Sequence, residues 1–368
     1  MTNTTHDKPA IWEPFAEGVR SDIESGRAEC GTKIGTEYEF MRQTGLSRTS
    51  IRRGIQSLID EGLLERRVGK GVYVREPHQT THAIQFVVPD MSIDLYVRMT
   101  RAIQDWGRTH GIDVQLHDAH GSFSHDIEYV LNLPDKPMSG AIISSLYHPK
   151  FVSALFELKR RNYPFVLVGH HLDELEVSSV AADNYGGGYR VGQELAKLEH
   201  GRGVAFIGAL RYQATARRLE GIKDAMSDLG IPYDREYFKD LDVALPCDDW
   251  SDLVQEKASE LLNMDEPPTA IVFGSTSLAA SAYQVIKSRG LRIPEDISVV
   301  AFDDEPYVQF LDPPMSLIRQ PGEDIGVAAI QMLMDRLKGA GDAEQVTLPV
   351  TWVPRGSIGR ARGSCKRA

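Results

Sequence analysis

Residues 35–74 read GTEYEFMRQTGLSRTSIRRGIQSLIDEGLLERRVGKGVYV. Thr36 followed three residues later by Glu39 is a capping box, in which hydroxyl and carboxylate each satisfy a backbone donor at a helix start. Phe40 and Met41 give that helix its apolar side. The turn Gln43-Thr44-Gly45-Leu46 leads to Ser47, an N-cap for a second helix. Ile51, Ile55, Leu58 and Ile59 form its buried face, and Gly62 stands where a C-cap belongs. Leu63–Val68 and Val72–Val74 flank Gly69-Lys70-Gly71, two β-rich runs around a glycine turn, hence a hairpin. Upstream, Ile11, Phe15, Val19 and Ile23 repeat every fourth residue, the stripe of an amphipathic helix. Residues 10–75 therefore predict three helices and a hairpin, a winged helix-turn-helix.

The buried stripe of the last helix fixes what lies opposite it: Arg48, Thr49, Arg52, Arg53 and Gln56. A recognition helix sets its first residues against base edges in the major groove. Arg pairs bidentately with guanine, and Thr and Gln also read bases. Lys70 at the wing, with Arg42, Arg66 and Arg67, suits phosphates, which give affinity without sequence choice. Charge agrees with this division. The whole chain is at −11, yet residues 42–75 hold eight basic and three acidic side chains. A small basic unit is joined to a large acidic one, so one part meets a polyanion and the other does something else.

The chain has 368 residues, 42% hydrophobic and 25% charged, enough for two or three domains without disulfide or metal support. Cys30, Cys247 and Cys365 are scattered and form no disulfide framework or zinc motif. The start, MTNTTHDKPA, lacks the features of a signal peptide, so a cytoplasmic protein is expected. The expected domains are 1–76, a polar linker at 77–82, 83–358, and a basic tail at 359–368. Within the large domain Ile84–Val88, Val114–Leu116, Ala141–Ile143, Phe165–Val168, Val204–Ile207, Ala270–Phe273 and Val299–Phe302 are short apolar strands, with helical stretches between most of them. That alternation predicts an α/β fold with parallel sheets. There are too many units for one sheet, so two doubly wound lobes are expected.

Open parallel sheets bind ligands beyond the carboxyl ends of their strands, and two facing lobes make a cleft. Asp90, Tyr96, Ser144, Ser145, Tyr147, His170, Ser275 and Asp303 all follow strands. Trp250 lies at a helix start beside acidic residues, a combination suited to stacking on a sugar ring. Gly186-Gly187-Gly188 reads as a helix start, since its spacing is not that of a nucleotide loop. His117, His120 and His125 lack helical ligand spacing, and no metal or cofactor is expected. No catalytic triad pattern is recognisable.

Residues 35–74 resemble the DNA-binding domain of GntR-family regulators, in the Ser47-Arg48-Thr49 element, the Glu61-Gly62-Leu63-Leu64 helix exit and the Gly69-Lys70-Gly71 wing. The resemblance implies DNA contact through Arg48, Thr49, Arg52 and Gly69. Ile34-Gly35-Thr36-Glu37 stands where that family usually has Leu-Pro-Ser-Glu, and Tyr38 where it often has Arg. ATARRLEGIKDAM (214–226), the stretch PPTAIVFG…MDRL (267–337) and the ending VPRGSIG (353–359) resemble LacI/GalR-family effector domains. That resemblance implies a two-lobed, periplasmic-binding-protein-like domain with Arg218, Trp250, Ser275, Asp303 and Gln320 in its cleft. Arg218 and Asp303 would clamp hydroxyls and Trp250 would stack on the ring. Ser275 stands where the family commonly has Asn or Asp, and Gly169-His170 where it commonly has an acidic residue. A GntR-type reader on a LacI-type domain resembles the arabinose-repressor subgroup. The expected function is a ligand-responsive transcription regulator, a repressor that binds a pseudo-palindromic operator as a homodimer and takes a sugar-like effector. The rival readings are a transporter's solute-binding protein and a carbohydrate-binding or carbohydrate-modifying enzyme on the same two-lobed fold.

Overall fold

The computed structural model describes residues 11–361 except 30, 62, 68–69, 75–82, 120–122, 145–148, 202, 242–249 and 340–341. Gly62, Gly69, the linker 77–82, His120, Ser145, Tyr147, all three cysteines and residues 362–368 thus lie outside the described residues. The chain divides into two compact units, Met1–Thr81 and His82–Ala368.

The first unit holds α1 (Glu13–Glu24), β1 (Lys33–Gly35), α2 (Glu37–Thr44), α3 (Arg48–Asp60), β2 (Leu64–Arg67) and β3 (Gly71–Val74). The Thr36–Glu39 capping box is formed in both directions, and Gly45 ends α2 in the left-handed region at φ 71°. Ser47 caps α3 by accepting from the Ser50 amide at 3.2 Å. Ile51, Ile55 and Leu58 are buried beneath α3. Two expectations need correction. The apolar stripe begins at Phe15, because α1 starts at Glu13 with Pro14 in its first turn and leaves Ile11 exposed. Trp12 instead packs on the core with Phe15, Val19 and Ile23. The wing also has a third strand: β1 pairs antiparallel with β3, giving the order β1-β3-β2. Lys-Ile-Gly is too short for its alternation to be visible in sequence.

The second unit consists of two lobes. The first lobe has a sheet of β4 (Ala83–Val88), β5 (Asp113–Asp118), β6 (Gly140–Ser144), β7 (Phe165–Val168), β8 (Ser179–Ala182) and β14 (Gln345–Leu348), in the order β14-β8-β7-β6-β4-β5. Helices α4 (Asp94–His110), α5 (Phe123–Leu131) and α6 (Pro149–Arg160) alternate with its strands. The second lobe has β9 (Val204–Gly208), β10 (Phe238–Asp240), β11 (Ala270–Phe273), β12 (Ser298–Phe302), β13 (Ser316–Arg319) and β15 (Thr351–Val353), in the order β10-β9-β11-β12-β13-β15. Its helices are α7 (Asn184–Lys197), α8 (Gln213–Asp228), α9 (Ser251–Leu262) and α10 (Thr276–Ser288). Every pairing is parallel except β13–β15. Helix α11 (Gly322–Leu337) returns to the first lobe, where Ile325, Ala329, Ile330 and Leu333 join Met99 and Ile103 of α4 in one core. The chain thus crosses between lobes after β8, after β13 and after β14.

All seven strands expected in this unit form, and β8, β10, β13, β14 and β15 are additional. The glycine run at 186–188 is the start of α7, capped by the Asp183 carboxylate on the Gly186 amide at 2.7 Å. It brings two helices into backbone contact. A Cβ on Gly188 would lie 1.9 Å from the Arg218 carbonyl oxygen, so only glycine lets α8 seat Arg218 where it does. Arg355 pairs with Asp304 at 2.8 Å, His200 bonds the Gly359 carbonyl, and the Ala361 amide donates to Leu198. These bonds, with that of Arg360 to Glu199, hold residues 355–361 on the second lobe.

Candidate effector cleft and DNA-binding surface

In the first unit Arg48, Thr49, Arg52, Arg53 and Gln56 are all exposed along α3. Ser47 is exposed too, but its hydroxyl serves as the helix cap and also meets the Ser50 hydroxyl at 3.0 Å. Lys70 is exposed at the wing, its amide closing the turn onto Arg67. Sequence reasoning missed the role of Glu37, the first residue of α2. Its carboxylate lies 3.1 Å from Arg48, 3.0 Å from Arg52 and 3.3 Å from Arg66. Partial burial alone would raise its pKa. Hydrogen bonds from Arg52 and Arg48, with the charges of Arg52 and Arg66, outweigh this and hold it below the usual carboxylate range. One carboxylate thus gathers two recognition-helix arginines and one from the wing.

The cleft is built around Arg218, which is 5% exposed. Its Nε donates to Asn184 Oδ1 at 2.8 Å, its Nη1 to the Gly274 carbonyl at 2.6 Å, and its Nη2 lies 3.6 Å from Asp303 Oδ1. The guanidinium also sits 4.5 Å above the Phe302 ring. Gln320 donates its amide to Asp303 Oδ1. Asp303 has φ 79°, a left-handed backbone for a residue directly after β12. Such outliers persist where their surroundings hold them, here through the Asp303 amide bonded to Ile318. From the first lobe, Ser144 hydrogen-bonds the Tyr96 hydroxyl. Burial pushes the Tyr96 pKa up, and the fields of Asp303, Asp90 and Asp126 add to it.

The cleft therefore collects Tyr96, Ser144, Arg218, Asp303 and Gln320 from the expected set. Ser275 is adjacent, directly after the carbonyl that Arg218 holds, and its hydroxyl meets Ser277 at 2.9 Å. His170 is buried and lines a cavity of about 290 Å³ whose wall includes Gly169, Asn184, Tyr185, Gln213 and Arg217. Burial, with the neighbouring His171, lowers its pKa to about 4. It is thus a neutral imidazole at pH 7. Asn184 lines this cavity and also holds Arg218, whereas Tyr96, Ser144, Arg218, Asp303 and Gln320 are not part of its wall. Asp90 caps its own loop through the Ser92 amide. Trp250 stands at the N-cap of α9 and is partly buried, packed against the second-lobe core. Asn184 was missed because an asparagine after a strand reads simply as a helix-start residue. Among the described residues no group of three or more His, Cys, Asp and Glu is placed to hold a metal, and His117 stacks on Tyr129 at 3.4 Å.

The family described as bacterial regulatory proteins of the gntR family matches residues 15–74, and the periplasmic binding protein-like domain matches 193–358. The chain thus joins a GntR-type helix-turn-helix to a periplasmic-binding-protein-like domain of LacI type, the pairing of a transcription regulator. The arabinose metabolism transcriptional repressor of Geobacillus stearothermophilus is 28% identical to this regulator over 330 residues, 87% of this chain and 89% of that one. The transcriptional repressor CytR of Escherichia coli is 26% identical over 300 residues, 82% and 84% of the two chains. A LacI-family regulator from Enterococcus faecium, solved with bound ribose, superposes with a TM-score of 0.64. It is 24% identical and covers 76% of this regulator and 100% of itself. That superposition establishes the two-lobed fold. No helix among the described residues is long and apolar enough to cross a membrane.

Proposed function

We propose that this regulator is a cytoplasmic repressor that binds a two-half-site operator as a homodimer and changes its DNA affinity when a sugar-like effector fills the cleft. The observation that carries the proposal is the buried Arg218–Asp303 pair, braced by Asn184, Gln320 and the Gly274 carbonyl. A sugar hydroxyl both donates and accepts. Asp303 accepts from it, Arg218 donates to it, and Tyr96 and Ser144 complete the ring of polar contacts from the other lobe. The Geobacillus relative named for arabinose metabolism and the ribose-bound Enterococcus structure make a pentose the first choice of effector. In the reader domain, residues 1–76, Arg48, Thr49, Arg52, Arg53 and Gln56 read the major groove, while Lys70 and Gly69 meet the backbone at the wing. Residues 77–82 are the linker that joins the domains.

The test is a thermal-shift screen of pentoses, hexoses and disaccharides, followed by operator-binding anisotropy with each hit. A ligand in hundredfold excess over its dissociation constant adds about 2.7 kcal/mol of stability. The reading predicts a hit whose effect disappears in Asp303→Ala while DNA binding persists. A hit retained in that variant would make Asp303 a structural residue.

A further inference from the structure

Helix α4 runs for 17 residues from Asp94, yet it starts with no side-chain cap, because Ile93 holds the N-cap position. The first amides of a helix have no partner within it. Here the partner comes from the other lobe: the Asp94 amide donates to Glu305 Oε1 at 3.1 Å, across 211 residues of sequence. Asp94 opens a helix packed in the first-lobe core, whereas Glu305 lies on the second lobe, in the loop after β12 and two residues beyond Asp303. A carboxylate at a helix N-terminus is also favoured by the helix dipole. The contact is not cost-free. Burial raises the Glu305 pKa, Asp94 and Asp303 add negative potential, and the Asp94 hydrogen bond and Arg98 oppose these.

We propose that Glu305 is a closure latch: its carboxylate caps α4 when the lobes shut and leaves that helix uncapped when they open. The proposal rests on reading the cleft as the effector site. Asp303 and Glu305 share one loop, so an effector that draws Asp303 toward the first lobe brings Glu305 onto α4 with it. The cap then favours the closed state, and by linkage it raises effector affinity by the same factor by which the effector favours the cap.

The test needs no effector. In the full-length protein with its three cysteines changed to serine, labels at Asp105→Cys on the first lobe and Glu256→Cys on the second report lobe separation by single-molecule energy transfer. Asp94→Pro deletes the amide donor, together with the carboxylate that accepts from Arg98 at 2.8 Å, at a position where proline suits a helix, and Ile93, at ψ 118°, already has the extended backbone that precedes a proline. Asp94→Ala keeps the amide and controls for the lost side chain. Glu305→Ala and Asp94→Pro should each raise the open fraction several-fold. The pair together should do no more than either alone, because both remove one bond. Asp94→Ala should behave as the parent. An unchanged separation in Asp94→Pro and Glu305→Ala, each shown by circular dichroism to be folded, would overturn the latch, and so would additive effects. A latch that behaves as stated in a protein that binds no sugar would refute only the sugar reading.

Discussion

Two arginine–carboxylate groups, one in each unit, differ in almost everything but their chemistry. Glu37 faces Arg48, Arg52 and Arg66, whose side chains are 65%, 54% and 44% exposed. Asp303 faces Arg218, whose side chain is 6% exposed. Water and salt screen the first group, so its pairs contribute little to stability and exchange readily for other anions. The second lies where an unpaired charge is very costly, so each member depends on the other. A reader of DNA needs cations that can leave their partner for a phosphate or a base. A small-molecule cleft needs fixed charges that do not move before the ligand arrives.

The largest expected effect tests the buried group. Arg218→Met should cost about 3–5 kcal/mol of stability by leaving Asp303 without its counter-charge and the Asn184 side-chain oxygen and the Gly274 carbonyl without this donor. Chemical denaturation of the full-length protein measures it. A loss under about 1 kcal/mol would mean that water reaches the pair, and the contrast between the two units would fail.

A third carboxyl sharpens the contrast because it is buried without an arginine. Asp126 is 4% exposed and lies 3.8 Å from His117 Nε2, and burial, with the nearby Asp118, raises its pKa to about 7. A raised acid keeps its proton in the folded state while the unfolded chain has already lost it. Stability should therefore fall as pH rises from about 4 to about 7, by at most roughly 1.4 kcal/mol per unit, and level off above. Asp126→Asn should remove that slope, so its melting temperature should gain more on the parent at pH 8 than at pH 5. An equal difference at both values would show that Asp126 titrates as a solvated group.

How much was legible in the sequence follows the same division between local and long-range causes. The capping box at Thr36, the cap at Ser47 and the exposed face of α3 depend on spacing within a few residues, and all form as read. Arg218, Asp303 and Gln320 come together as the family resemblance implied. What spacing could not carry were contacts made by the fold: Asn184 on Arg218, Glu37 on arginines 11 to 29 residues away, and Glu305 on α4. Strand β8 is Ser-Val-Ala-Ala and β14 is Gln-Val-Thr-Leu, each only four residues with few large apolar side chains, so their apolar signal is diluted, and pairing with neighbours makes them strands.

The recognition helix gives the next effect in size. Arg48→Ala and Arg52→Ala should each cost about 1–3 kcal/mol of discrimination at one operator position if the arginine pairs with guanine there. Competition binding against operators substituted one base pair at a time reports it. A uniform loss across all sequences would reassign that arginine to the phosphates, leaving Thr49, Arg53 and Gln56 to carry readout.

The smallest effect on stability, and the most direct test of the exposed group, is Glu37→Gln. Its three ion pairs are exposed, so folding should change by less than about 1 kcal/mol. DNA binding should change in two opposed ways. Freed from the carboxylate, Arg48, Arg52 and Arg66 meet phosphates more strongly, so affinity for random DNA should rise and its salt dependence steepen by about one phosphate contact. The same freedom removes what aims Arg48 and Arg52 along α3, so operator affinity should rise less than random-sequence affinity and the specificity ratio should fall. Both quantities come from titrations of operator and random duplexes at several salt concentrations. If Glu37 only balances charge, the salt slope will steepen while the ratio stays fixed. If it only positions the arginines, the ratio will fall with the slope unchanged. The arrangement of one carboxylate across three arginines predicts both changes together, and a variant that shows neither would make Glu37 a bystander on a solvated surface.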